Sequence, residues 1–367
     1  MDLENISPRE SVGIVSSRCI GIDAAKGFGI ILVLLAHSEF WNFCRTNSTV
    51  LFVPQAETLV KLATASYMPL FYVLSGYTFK DTPCVLQARF RRIIVPYFFW
   101  GLIALGITSV LIWMNEHSLL GCLKHVFGLL YSRFSLYPID NSENVLLLPR
   151  GAAPLWFLTS LFSSYACFMV LFKCRRYRYL LFLVYVVAIV LLSFMPILLP
   201  WSLDTAPAGA IFIYAGYKMK DQQLLSLSYR KLLPIVFSLV ILYVYLVSLN
   251  GSINMSVRIY GKYSYISPML FVLIGLIGSY LCCCLCMALE KLWLIHKLAY
   301  IGRLSLILLC SHSFIFQISL VTPSLSNLFD FSKYCPLFVV QLALAVIFAV
   351  SFVEIKKRWK ALKYCGG

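Results

Sequence analysis

Apolar stretches of roughly twenty residues recur along the whole chain, broken only by short polar segments. A helix of that length rises about 30 Å, the thickness of a bilayer's hydrocarbon core. The stretches predict spans near residues 20–41, 59–79, 93–114, 155–172, 179–200, 205–217, 232–249, 265–289, 303–321 and 336–354. The expected fold is therefore an all-α, polytopic transmembrane bundle of about ten spans. Hydrophobic residues make up 60% of the 367, charged residues 13%, and the mean hydropathy is +0.84. So few charges do not cover the surface of a soluble domain of this length, and that class is excluded.

The formal net charge of +16 raises the question of a nucleic-acid partner. The placement of the basic residues answers it. With the N-terminus inside, cytoplasmic segments carry 22 of the 31 Lys and Arg, outer segments carry 8, and Lys26 lies within the first span. This bias reports orientation in a membrane, with both termini cytoplasmic and no nucleic acid implied. The chain divides into a cytoplasmic N-terminal segment (1–19), a transmembrane domain (20–354) and a basic cytoplasmic tail (355–367). Residues 1–18 are polar, and no cleaved leader is expected. Most connections are short; the exception is an outer loop from about Asn115 to Pro154, long enough to be a lid, a binding element or a disordered connection.

Ionisable residues inside spans are costly unless they face protein or water, so they mark candidate sites. Lys26 and His37 are eleven residues apart, three turns plus about 20°, and project from one helix face about 16 Å apart along the axis. Asp23 shares that face. Asp23 with Lys26 reads either as a snorkelling ion pair at the boundary or as part of a site. His37 lies deeper and reads either as a structural histidine or as a general base, since neutral imidazole accepts a hydroxyl proton near neutral pH. His312 is a second intramembrane histidine, nine residues past Arg303.

Arg89, Arg91 and Arg92 crowd the cytoplasmic mouth of the third span. Positive-inside anchoring explains their sign; a phosphate site explains why all three are Arg, whose planar fork suits phosphate. Trp156 opens the fourth span, as an interfacial anchor or as a stacking surface for substrate. The 13 cysteines follow no disulfide framework. Cys282, Cys283, Cys284 and Cys286 resemble a soft-metal cluster, but neither His nor carboxylate completes the set nearby, and no metal is expected.

In order and spacing, these stretches resemble the acyltransferase-3 family of integral membrane enzymes that O-acetylate surface glycans, in particular its fucose-O-acetylase-like members. The resemblance is carried by Lys26 and His37 with the run Ile22–Gly29, by Met68–Tyr77, by the Arg-x-x-Arg of Arg89 and Arg92 ahead of Pro96, by Pro154–Leu158, and by Gly302 through Ser305 to His312. It implies an acyl-coenzyme A donor, in the first instance acetyl-CoA, and a glycan or lipid-linked glycan acceptor such as an O-antigen, capsule or exopolysaccharide unit. It implies a multi-pass protein of the cell inner (plasma) membrane, among membrane lipids. By this resemblance His37 is the base, Lys26 lies near the inner mouth to orient donor or offset developing charge, and Arg89 and Arg92 hold the anionic nucleotide end. Asp23, Trp156 and His312 stand behind these. The alternative is a transporter or flippase for a lipid-linked glycan, which a bundle with intramembrane charges also suits. The Arg-x-x-Arg mouth and the want of an inverted repeat favour the enzyme.

Overall fold

The computed structural model describes residues 19–38, 40–41, 61–138, 147–149, 151–226, 229–263, 265–320 and 331–358. Within them the chain is all-α, and the extended structure amounts to an isolated bridge between Asn254 and Ile259. The helices are α1 (Ile20–Ala36), α2 (Tyr67–Tyr77), α3 (Val85–Glu116), α4 (Leu119–Tyr131), α5 (Trp156–Lys173), α6 (Arg178–Ser193), α7 (Ala206–Asp221), α8 (Tyr229–Asn250), α9 (Ser267–Ala288), α10 (Trp293–Arg303), α11 (Ser305–Leu320) and α12 (Phe331–Arg358).

Among the described residues, six helical segments are long and apolar enough to cross a membrane: Val85–Glu116, Ala153–Lys173, Arg175–Ser193, Leu232–Asn250, Ser267–Ala288 and Leu337–Ile355. Helices α10 and α11 make a seventh if they count as one span, bent by 75° at Leu304. The protein is thus a multi-pass membrane bundle, with six to seven candidate spans of full length among the described residues where ten were expected. The shortfall lies in α1, α2 and α7, which have 17, 11 and 16 residues. The expected second span breaks at Ala65 and Ser66, between a helical turn at 61–64 and the start of α2. Two of these short helices are largely enclosed: Ala206 through Ile213 of α7 are all buried, and so are Met68, Pro69, Leu70, Tyr72, Val73, Leu74 and Gly76 of α2. Where neighbouring helices rather than lipid cover a helix, its length need not match the bilayer. By contrast α6 and α8 turn most of their side chains outward, as lipid-facing helices do.

One further expectation is revised. The outer loop from about Asn115 to Pro154 contains an apolar helix, α4, capped by the Ser118 hydroxyl accepting from the Gly121 N–H at 3.0 Å. The helix that carries the third span begins at Val85, so Arg89, Arg91 and Arg92 lie on the first turns of α3, ahead of its apolar run.

Helix α1 positions the site. Asp23 sits in its first turn, where a negative charge complements the helix dipole, and the chain leaves the helix at His37, whose N–H bonds to the Leu34 carbonyl at 3.2 Å. It packs on α2, α9 and α11, and crosses α10 most closely of all. Glycine makes that crossing: a Cβ on Gly27 would lie 1.9 Å from the Leu298 carbonyl oxygen, and one on Gly302 would lie 1.8 Å from that of Asp23. Any side chain at either point would push α1 and α10 apart.

Candidate active site

His37 and His312 meet at the end of α1. Their ring centroids are 5.2 Å apart, with the planes at 65°. In each ring Nδ1 faces a backbone carbonyl four residues back, Val33 at 2.8 Å for His37 and Leu308 at 2.9 Å for His312. A carbonyl oxygen only accepts, so Nδ1 is the donor in each ring, and in the neutral form Nε2 keeps its lone pair. His312 is fully buried, and its Nε2 has no hydrogen-bond partner among the described residues. His37 is exposed.

That exposure opens into a cavity of about 370 Å³, within the size range of small-molecule sites. His37 shares its wall with Tyr67, Met68 and Trp156, and with polar groups of the Gly251–Ser256 segment. Trp156 is buried and forms part of the cavity wall.

A second ionic cluster holds part of that wall in place. Asp204 pairs with Arg133 through one carboxylate oxygen and with Arg258 through the other, the latter at 3.0 Å, and all three side chains are wholly inaccessible. Arg133 also donates to the carbonyls of Leu199 (3.0 Å) and Ser256 (3.1 Å), while Arg258 donates to those of Ile197 (3.3 Å) and Met195. The cluster thereby ties the end of α4, the segment before α7 and the 254–258 turn into one unit. Counted by position alone, Arg133 and Arg258 are merely two of the eight outer basic residues. The available signal was their sign: basic residues outside run against the positive-inside bias, and Asp204 stands as an acid between two apolar runs.

The remaining predicted residues lie away from His37. The Lys26 ammonium pairs with Asp23 at 3.0 Å, and both side chains stay partly accessible. About 16 Å of helix separates this pair from His37. Arg89 lays its guanidinium over the Tyr165 ring at 4.5 Å. Tyr165 is nine residues beyond Trp156 on α5, so Arg89 sits about 13 Å further along the bundle than the cavity wall. Arg92, one turn on, shares the Arg89 face, whereas Arg91 points away from it. Among the described residues, His, Cys, Asp and Glu nowhere group by three or more in positions to hold a metal, the cysteines of α9 included.

The chain is therefore a multi-pass membrane bundle with an imidazole on a cavity wall and a pair of guanidiniums displaced toward one end. The family model described as an acyltransferase domain (Acyl_transf_3) matches residues 20–366, and the chain belongs to that family. No curated protein and no solved structure matches it.

Proposed function

We propose that the protein is a membrane O-acyltransferase that moves an acyl group, in the first instance acetyl, from acyl-CoA to a hydroxyl of a cell-surface glycan at the inner membrane. The observation that carries this reading is His37, whose hydrogen bond to Val33 fixes the tautomer with Nε2 unprotonated, on a ring exposed to a cavity. Membership of an acyltransferase family gives that base its reaction.

The His37 Nε2 takes the proton of the acceptor hydroxyl as that oxygen bonds to the thioester carbonyl carbon. The C–S bond then breaks, the acyl group remains on the oxygen as an ester, and the departing thiolate receives the proton from the imidazolium. His312, edge-on to His37, holds the ring in its working orientation. Trp156 offers the sugar an aromatic face, and Asn254 and Ser256 bring polar groups to the same wall. At the other end Arg89 and Arg92 bind the phosphates of the donor, and Lys26, held by Asp23, lies at the inner mouth.

Membranes containing the protein, incubated with labelled acetyl-CoA, are expected to transfer label to glycan. NMR of surface glycan from a deletion strain should lack an ester signal that its parent shows. Glycan translocation without donor consumption would instead identify a transporter.

A further inference from the structure

Beside the His37 cavity lies a second, larger space of about 630 Å³. It is a groove between α1, α2, α8 and α9, walled by Phe28, Leu32, Leu70, Val240, Gly278 and Leu285 among others. Phe28, Val240 and Leu285 are exposed on its rim, so it opens sideways, where the bilayer would be. From Tyr243 to Leu232 on α8, and from Gly278 to Leu289 on α9, it follows eleven residues of helix, about 16 Å. Hydroxyls at one end are already engaged: Tyr243 donates to the Leu62 carbonyl at 2.7 Å and lies 3.1 Å from Ser66 Oγ. The walls therefore offer a long apolar surface, suited to hydrocarbon and unsuited to sugar.

Tyr67 lines both the groove and the His37 cavity, so a single side chain lies between the two spaces. An occupant of both has a hydroxylated part at His37 and a hydrocarbon part in the groove. Either substrate of an acyl transfer could bring a hydrocarbon chain, and the helices distinguish them. Arg89 and Arg92, the proposed donor anchor, are on α3, which packs against α4, α5 and α11. The groove belongs to α1, α2, α8 and α9, on other elements of the bundle. A groove open along its side also admits a chain from the bilayer, where an anchored acceptor resides, rather than from water.

We infer that the groove between α1, α2, α8 and α9, next to the His37 cavity across the Tyr67 side chain, holds the hydrocarbon tail of a membrane-anchored acceptor whose glycan head is acylated at His37. This rests on the acyltransferase reading above and narrows its acceptor to a lipid-linked one.

The test compares two acceptors with labelled acetyl-CoA as donor: the lipid-linked glycan extracted from host membranes, and the same glycan released from its lipid by mild acid. The wild-type protein in detergent should show a KM lower by about tenfold or more for the lipid-linked form, since each buried methylene adds to binding. Val240→Trp with Leu285→Trp fills the groove from its lipid-facing rim. That variant should lose the preference while keeping the wild-type rate on the released glycan, which also reports a folded site. If the double variant fails to accumulate, Leu285→Trp alone is used, with the same expected loss. Equal KM for both acceptors, or a preference that survives the filled groove, overturns the inference and leaves the transferase intact. Absence of label on either acceptor overturns the transferase reading, and the inference with it.

Discussion

Two clusters of ionisable side chains lie inside this bundle, and they are built in opposite ways. Around Asp204, two guanidiniums close on one carboxylate and on four backbone carbonyls, and water reaches none of the three side chains. Around His37, one ring is buried and the other opens into a cavity, and each has its Nδ1 committed to the backbone. The first cluster spends its charge on holding three chain segments together. The second leaves a nitrogen lone pair available for chemistry. Cost alone does not separate structure from function among polar groups in a membrane; what separates them is whether hydrogen-bonding capacity remains and whether a cavity reaches it.

Substitutions can break that contrast, and the largest effect is expected at His37. His37→Gln keeps a polar side chain of similar size but removes the proton acceptor, and should lower kcat by roughly 10²–10⁴-fold in a labelled-transfer assay. The thermal unfolding midpoint in detergent should stay near that of the wild type. Asp204→Ala should do the reverse. It strands two buried guanidiniums, and losing one member of such a pair costs about 3–5 kcal/mol, read as a lowered unfolding midpoint or a protein that does not accumulate. Whatever fraction folds should show an altered KM for glycan, because the 254–258 turn on the cavity wall is released. Should Asp204→Ala unfold at the wild-type temperature, the cluster is not the clamp described.

Smaller effects are expected at the other end of the bundle. Replacing Arg89 and Arg92 together by Ala should raise the KM for acetyl-CoA by about tenfold with little change in kcat, the signature of lost donor binding. Arg91→Ala, on the opposite face, should change it least, and a larger effect there would reassign the anchor. The smallest is Lys26→Ala. Its ion pair with Asp23 is partly accessible and is worth about 1 kcal/mol or less, so stability should barely move. A drop in kcat at unchanged stability would bring Lys26 into the transfer step itself.

How far the sequence carries the reader follows the same physical divide. Local spacing is legible: three residues put Asp23 and Lys26 on one turn, where they pair, and eleven put His37 at the far end of the same helix. The arginine spacing likewise reads through to a shared face for Arg89 and Arg92, because helical periodicity alone decides it. Hydropathy measures apolar content and not what covers it. Helices α1, α2 and α7 are apolar and largely enclosed by other helices, and have 17, 11 and 16 residues. Non-local meetings are illegible from one chain. Nothing in the spacing brings Arg133 and Arg258 to Asp204, or His312 to His37, since those contacts depend on how loops and helix crossings close.

The decisive variant is His37→Ala, purified beside the wild type and assayed for both label transfer and thermal unfolding. The expected result is a protein that folds and melts as the wild type does and transfers no acetyl group from acetyl-CoA to glycan. Transfer at the wild-type rate by that variant would contradict the account, and the base would have to be sought elsewhere on the cavity wall.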